Sequence, residues 1–182
     1  MWHQLLFHEH LGTVSSEIFG ILHLIEAFKN IDSPNYRLII CGIGDSEEEI
    51  KKSSELDSRI DFLGQLKRED VLSLQKKATV LVNPRQNNEE FTKYSFPSKN
   101  LEYLSSGIPL VAYKLDGIPD EYDKYINYVP DNSTDAFASV IQKICELPVG
   151  ERTEMGRRAR DFVLEEKNNV KQTKRILDFI SD

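Results

Sequence analysis

The chain has 182 residues, enough for one domain with a substantial core. Its formal net charge of −7, with no basic run and no interleaving of aromatic and basic residues, argues against nucleic acid as its partner. No window approaches the ~18 apolar residues that span a bilayer. The first ten residues, MWHQLLFHEH, lack the charged start and small-residue cleavage site of a secretory signal. Cys41 lies in an apolar run and Cys145 in a helical one. Both read as small core residues rather than a disulfide, which fits a reducing compartment.

In chain order the sequence alternates between short apolar runs and amphipathic stretches. LLFH near the start reads as a first strand. Residues 18–30 form an amphipathic helix, with Ile18, Ile21, Leu22, Ile25 and Phe28 on one side. YRLIICG is a second strand ending in glycine. The following DSEEEIKKSSEL is an exposed helix with acids in its first turn, where the helix dipole favours them. RIDFLG, the helix KREDVLSLQKKA and the strand TVLVNP come next. Pro97 is placed for the first turn of another helix, which Gly107 ends and Pro109 cannot continue. PLVAY and YINYVP are the fifth and sixth strands. Helices over 134–147, 150–165 and 167–180 complete the chain.

Continuous apolar runs mark strands buried on both faces. Alternation with helices at this spacing predicts an α/β fold, a Rossmann-like three-layer sandwich with a parallel sheet, as a single domain over residues 1–182. In such sheets ligands bind beyond the carboxyl ends of the strands. The polar and glycine-rich segments all follow strands: 42–45, 64–65, 83–85 and 114–117. They should gather on one edge. The loop 86–94 is the longest polar connection and a candidate lid.

The stretch KYSFPSKNLEYLSSGIPLVA joins a polar loop, a helix start and a strand. A helix start offers free N–H groups and positive potential, which anions find. Lys93 and Lys99 flank it, and Glu102 follows one turn in. A carboxylate there suits the vicinal hydroxyls of a ribose or a sugar. On spacing alone, Lys99 and Glu102 are equally an ordinary i, i+3 surface pair. Arg85, after TVLVNP, is placed to grip a phosphate in bidentate fashion, or to pair with Glu89 or Glu90. Gly42-Ile43-Gly44 permits close backbone approach but lacks the third glycine of the dinucleotide fingerprint. Gly117-Ile118-Pro119-Asp120-Glu121 opens a short helix or a plain turn. The four histidines show no metal spacing, although His8 and His10 share one strand face. No Asp-x-Asp pair, P-loop or Gly-x-Ser-x-Gly elbow occurs.

The order YRLIICGIGDSEEEIKK, RIDFLGQLKREDVLSLQKKATVLVNPR, FPSKNLEYLSSGIPLVAYKLDGIPDEY resembles the C-terminal half of a group-1 glycosyltransferase of the bacterial polysaccharide type, from about residue 11 to the end. The resemblance implies one half of a GT-B fold, in which this half binds the nucleotide-sugar donor and an N-terminal half, absent here, binds the acceptor. It implies that Glu102, the second glutamate of the family's Glu-x7-Glu motif, holds the donor ribose. The first glutamate falls at Tyr94. Pro97 to Tyr103 resembles the family's Pro-Ser-Lys-x-x-Glu-Tyr variant, next to Ser95. Gly64-Gln65-Leu66 matches the loop that packs the base through its backbone, and Gly42, after its own strand, is a separate candidate for ligand contact. The family's arginine and lysine after the first strand are replaced by Gly12-Thr13-Val14 and Phe19-Gly20, so Arg85, Lys93 or Lys99 is expected to take the diphosphate.

The function that follows is donor binding for transfer of a sugar to a glycan or lipid-linked acceptor. Transfer is expected to be retaining, with no metal and no cofactor beyond the donor, and with little or none by this chain alone. The expected location is the cytoplasm, with contact to the inner face of a membrane only through the absent half. Two other readings stand beside it: a non-catalytic interaction domain with a degenerate nucleotide site, and half of a GT-B nucleotide-sugar epimerase.

Overall fold

A computed structural model describes residues 3–8, 20–87 and 90–181. Strands β1 (His3–His8), β2 (Tyr36–Cys41), β3 (Ile60–Phe62), β4 (Val80–Asn83), β5 (Leu110–Tyr113) and β6 (Ile126–Val129) form one sheet. Its six strands are ordered β3-β2-β1-β4-β5-β6, and every neighbouring pair is parallel. The helices are α1 (Ile21–Lys29), α2 (Glu47–Leu56), α3 (Arg68–Lys77), α4 (Ser98–Ser106), α5 (Thr134–Glu146), α6 (Val149–Glu166) and α7 (Asn169–Ser181).

The strand order reverses between β1 and β4. The crossovers through α1 and α2 run one way along the sheet and those through α3 and α4 run the other. Right-handed connections then put the two pairs on opposite faces. The packing agrees: α1 meets α2 and α5, while α4 meets α3 and α6. All four residues of β4 and of β5 are buried, as expected for strands covered on both sides. Leu24 and Phe28 of α1 with Phe137 and Ile141 of α5 fill one layer. Tyr103 and Leu104 of α4 with Ala159 of α6 belong to the same buried cluster.

The elements read from the sequence are present with shifts of a residue or two at their ends. Ile18 lies outside the described residues, and α1 is described from Ile21. Pro97 stands one place before the helix: α4 begins at Ser98, with Pro97 at φ −67 and ψ 107. Gly107, at φ 80, ends α4. The candidate lid is not plain loop, because residues Glu90–Lys93 form a 3-10 turn; residues 88 and 89 lie outside the described ones. Cys41 and Cys145 are both buried and free, and burial lifts their thiol pKa values to about 11 and about 12.

One helix departs from the layered packing. None of the residues of α7 is buried, and Val170, Ile176, Leu177, Phe179 and Ile180 are all exposed. No helix among the described residues is long and apolar enough to cross a membrane.

Candidate functional site

The carboxyl edge of the sheet gathers the segments that the sequence placed there. On the β3–β2 flank the contact is between backbones: the Gly42 N–H donates to the Gly64 carbonyl at 2.8 Å. Gln65 is exposed, and Leu66 packs on the core. The two strand exits on this flank are tied through the main chain of two glycines.

The β4–β5 flank is built from side chains. Asn83, the last residue of β4, donates through Nδ2 to Asn100 Oδ1 at 2.7 Å. Its own Oδ1 accepts the Arg85 N–H at 3.3 Å. Arg85 then reaches across to Ser95, with Nη2 donating to Oγ at 3.0 Å. Ser95 lies three residues before α4. A guanidinium is thus drawn to the start of a helix, where free N–H groups already favour an anion. Asn87 Nδ2 donates to Asp116 Oδ1 at 2.8 Å, linking the β4 exit to the β5 exit.

Two further contacts fix the approach to α4. The Phe96 ring lies 4.9 Å from that of Tyr122, which belongs to a 3-10 turn, Asp120–Tyr122, just after Gly117. Gly117 lies so close to the main chain of Ser95 that a Cβ on it would sit 2.6 Å from the Ser95 carbonyl oxygen. Only a glycine permits this approach. The Gly117 segment, read from the sequence as helix or turn, thus backs the Ser95 loop. Lys114 holds the same segment by bonds to Asp120 and Asp123. The N-cap of α1 completes the crevice at the strand switch: a Cβ on Gly20 would sit 2.3 Å from the Pro84 carbonyl oxygen.

Glu102 is half-buried on α4, and its Oε1 accepts a hydrogen bond from Gln75 Nε2 of α3 at 2.7 Å. Gln75 is only 1% exposed. A carboxylate has two oxygens with about four acceptor sites, and this bond fixes the direction of one of them. Tyr94, in the position of the first motif glutamate, is 85% exposed. Lys93 is exposed at the end of its 3-10 turn, and Lys99 is half-buried in the first turn of α4. The fold therefore joins Arg85, Ser95 and the start of α4 directly, sets Glu102 one turn deeper, and holds Gly42 and Gly64 together on the far flank. His10 lies outside the described residues, and no group of metal-ligating side chains occurs among the described ones.

Several residues of this edge escaped the sequence reading. Gln75 follows Val71 by one helical turn on an otherwise apolar face, and both are buried, so a polar residue at a core position was its signal. Asn83 was placed at the edge with Arg85, but its fully buried partner Asn100, two residues before Glu102, was not. His23 of α1 and Tyr113 of β5 meet at 2.9 Å between Nε2 and Oη. Burial pushes Tyr113 up to about 12 and His23 below the usual histidine range.

A six-stranded parallel sheet with this order, covered by helices on both faces, defines a Rossmann-like α/β domain. The comparisons go further. The family model for glycosyl transferases group 1 matches residues 11–162, so the chain belongs to that family. No curated protein matches it. Solved structures share its fold. HepE from Anabaena, determined in complex with UDP and glucose, aligns with TM-score 0.75 at 17% identity, over 99% of this chain and 48% of that one. The C-terminal domain of the Francisella tularensis group 1 protein LpcC aligns with TM-score 0.65 at 17% identity, over 92% of this chain and 87% of that one. WaaG, a glycosyltransferase of lipopolysaccharide biosynthesis, aligns with TM-score 0.67 at 17% identity, over 90% of this chain and 43% of that one. The chain thus has the C-terminal half of a GT-B architecture and spans less than half the length of WaaG and HepE.

Proposed function

We propose that this chain is the donor-binding domain of a glycosyltransferase that moves a sugar from a nucleoside diphosphate to a glycan or lipid-linked acceptor. The observation that carries this is Arg85, bonded to Ser95 beside the start of α4. The diphosphate would lie between that guanidinium and the free N–H groups of the helix, with Lys99 in the first turn and Lys93 at the rim. Cations and helix N–H groups aimed at the leaving diphosphate stabilise it as the glycosidic bond breaks. Transfer is proposed to retain configuration and to need no divalent metal.

Glu102, directed by Gln75, would take the ribose hydroxyls. The backbone of Gly64, Gln65 and Leu66, with Gly42 beside it, would take the base. The partner of the domain is an N-terminal GT-B half, which would bring the acceptor and any contact with the inner face of a membrane. The exposed apolar residues of α7 are where that half is proposed to dock, so the isolated chain should bind donor with little transfer. A second reading, an interaction domain that has lost nucleotide binding, is favoured by Tyr94, whose exposed phenol replaces a carboxylate. Calorimetric titration with UDP, GDP and ADP separates the two. Saturable binding of one of them supports the donor site, and silence toward all three at millimolar concentration supports the other reading.

A further inference from the structure

The 3-10 turn after Gly117 is held from two sides. Lys114, at the exit of β5, bonds Asp120 and Asp123. From the other side comes Lys167, the residue that follows α6, whose Nζ donates to Glu121 Oε1. The same ammonium lies 5.1 Å from the centre of the Tyr122 ring and 5.2 Å from that of Phe162 of α6. Those two rings meet edge-on at 5.2 Å. On its other contact the Tyr122 ring lies 4.9 Å from that of Phe96. Phe96 is the chain neighbour of Ser95, whose Oγ accepts from Arg85. Every step from Lys167 to Arg85 is therefore a direct contact or a covalent bond of the chain.

Packing alone does not account for the charge. The Lys167 side chain is only 7% exposed, against 43% for Glu121. Drawing an ammonium that far out of water costs free energy, which the carboxylate and the two ring faces offset. A methionine would fill the same space with no charge to desolvate. What the ammonium adds is direction: it meets Glu121 and the Tyr122 ring at once, and so fixes the turn Asp120–Tyr122. Lys167 and Tyr122 also line one cavity with Phe96 and Gly117, the two residues that touch or adjoin Ser95.

We propose that Lys167 is a positioning residue of the donor site: by clamping Glu121 and the Tyr122 ring it holds Phe96, and with it the Ser95 loop that Arg85 grips. This rests on the reading of Arg85 given above. The test is calorimetry on the chain with UDP, GDP and ADP, each beside its nucleoside. The diphosphate that wild type binds most tightly is then titrated, with its nucleoside, into four variants. These are Lys167→Met, Lys167→Arg, Glu121→Gln and the double variant of Lys167→Met with Glu121→Gln.

Lys167→Met should weaken the diphosphate about three- to tenfold and the nucleoside by less than about twofold. Lys167→Arg keeps the charge and can stack on Tyr122, so it should bind within about twofold of wild type. Glu121→Gln should show the same selective loss for the diphosphate. The double variant should be no weaker than Lys167→Met, because both changes break one clamp. Should Lys167→Met fail to fold, Glu121→Gln, changed at a half-exposed side chain, carries the comparison. Diphosphate affinity that is unchanged in the folded variants, equal losses for diphosphate and nucleoside, or additive losses in the double variant would overturn the proposal. Failure of the parent reading looks different: wild-type protein that binds a nucleoside but gains nothing from its diphosphate, or binds none of the three, overturns the role of Arg85, and this proposal with it.

Discussion

The two flanks of the strand switch hold their loops by different means. On the β3–β2 flank one backbone bond, Gly42 to Gly64, joins the loops. On the β4–β5 flank side chains do it: Asn83 with Asn100, Arg85 with Ser95, and Asn87 with Asp116. A backbone-built surface is insensitive to most substitutions and suits a flat, neutral group. A side-chain lattice places charge at a defined point, and each member depends on its neighbours. The proposed base and diphosphate sites fall on the flanks that suit them.

Substitutions in the side-chain lattice should sharpen this contrast. The largest effect is expected from Arg85→Ala, which should weaken UDP roughly 10- to 100-fold, the range for hydrogen bonds to charged groups, while leaving uridine almost untouched. Parallel titrations with the two ligands read this directly, and equal losses would separate Arg85 from the phosphates. Gly117→Ala should come next. The added methyl must displace the Ser95 main chain, so the domain should lose about 1–3 kcal/mol in denaturant unfolding, and UDP binding should weaken with it. A variant as stable as the parent would show that the contact between Gly117 and Ser95 is not tight.

Glu102→Ala should weaken UDP by about five- to tenfold and leave the weaker binding of 2′,3′-dideoxy-UDP nearly as it was. It also takes one hydrogen bond from the buried Gln75 side chain, a loss of about 1 kcal/mol that Glu102→Gln should largely restore. Equal weakening of both nucleotides would remove Glu102 from the ribose.

A smaller effect comes from pH. Burial is the first cause holding both His3 and His23 below the usual histidine range. The unfolded chain therefore binds more protons as the pH falls. Their contribution to stability is fully present above about pH 6.5, the unfolded value, and is lost as the pH drops from there through the lower folded values. The urea midpoint should be lower at pH 5.5 than at pH 7.5, and His23→Gln should flatten that slope. The smallest effect is expected from Lys93→Ala, at the exposed rim, which should change UDP affinity by less than about twofold. A larger loss would move the diphosphate outward from Arg85.

The fold was legible because its signals are local. TVLVNP and PLVAY are apolar throughout, and β4 and β5 are buried throughout. Pro97, Gly107 and Pro109 bracket α4 within a few residues. The place of Arg85 at the carboxyl edge of the sheet was legible because it follows a strand end. Its partner was not, since a contact with Ser95 depends on how the loop folds back and on Gly117 lying behind it. Glu102 shows the same limit. Its bond to Gln75 comes from the neighbouring helix, which spacing along α4 does not encode. The bond between His23 and Tyr113 joins residues 90 apart in the chain. Helix and strand periods do not encode such pairs; the packing of α1 against the sheet creates them.

The claim that this edge of the sheet is a nucleotide-diphosphate site is tested most directly by titrating the chain with UDP, GDP and ADP, each beside its nucleoside. The structure predicts saturable binding of one diphosphate, tighter than its nucleoside by a margin that disappears in Arg85→Ala. Equal affinity for diphosphate and nucleoside, or no binding of any of the three at millimolar concentration, would contradict it.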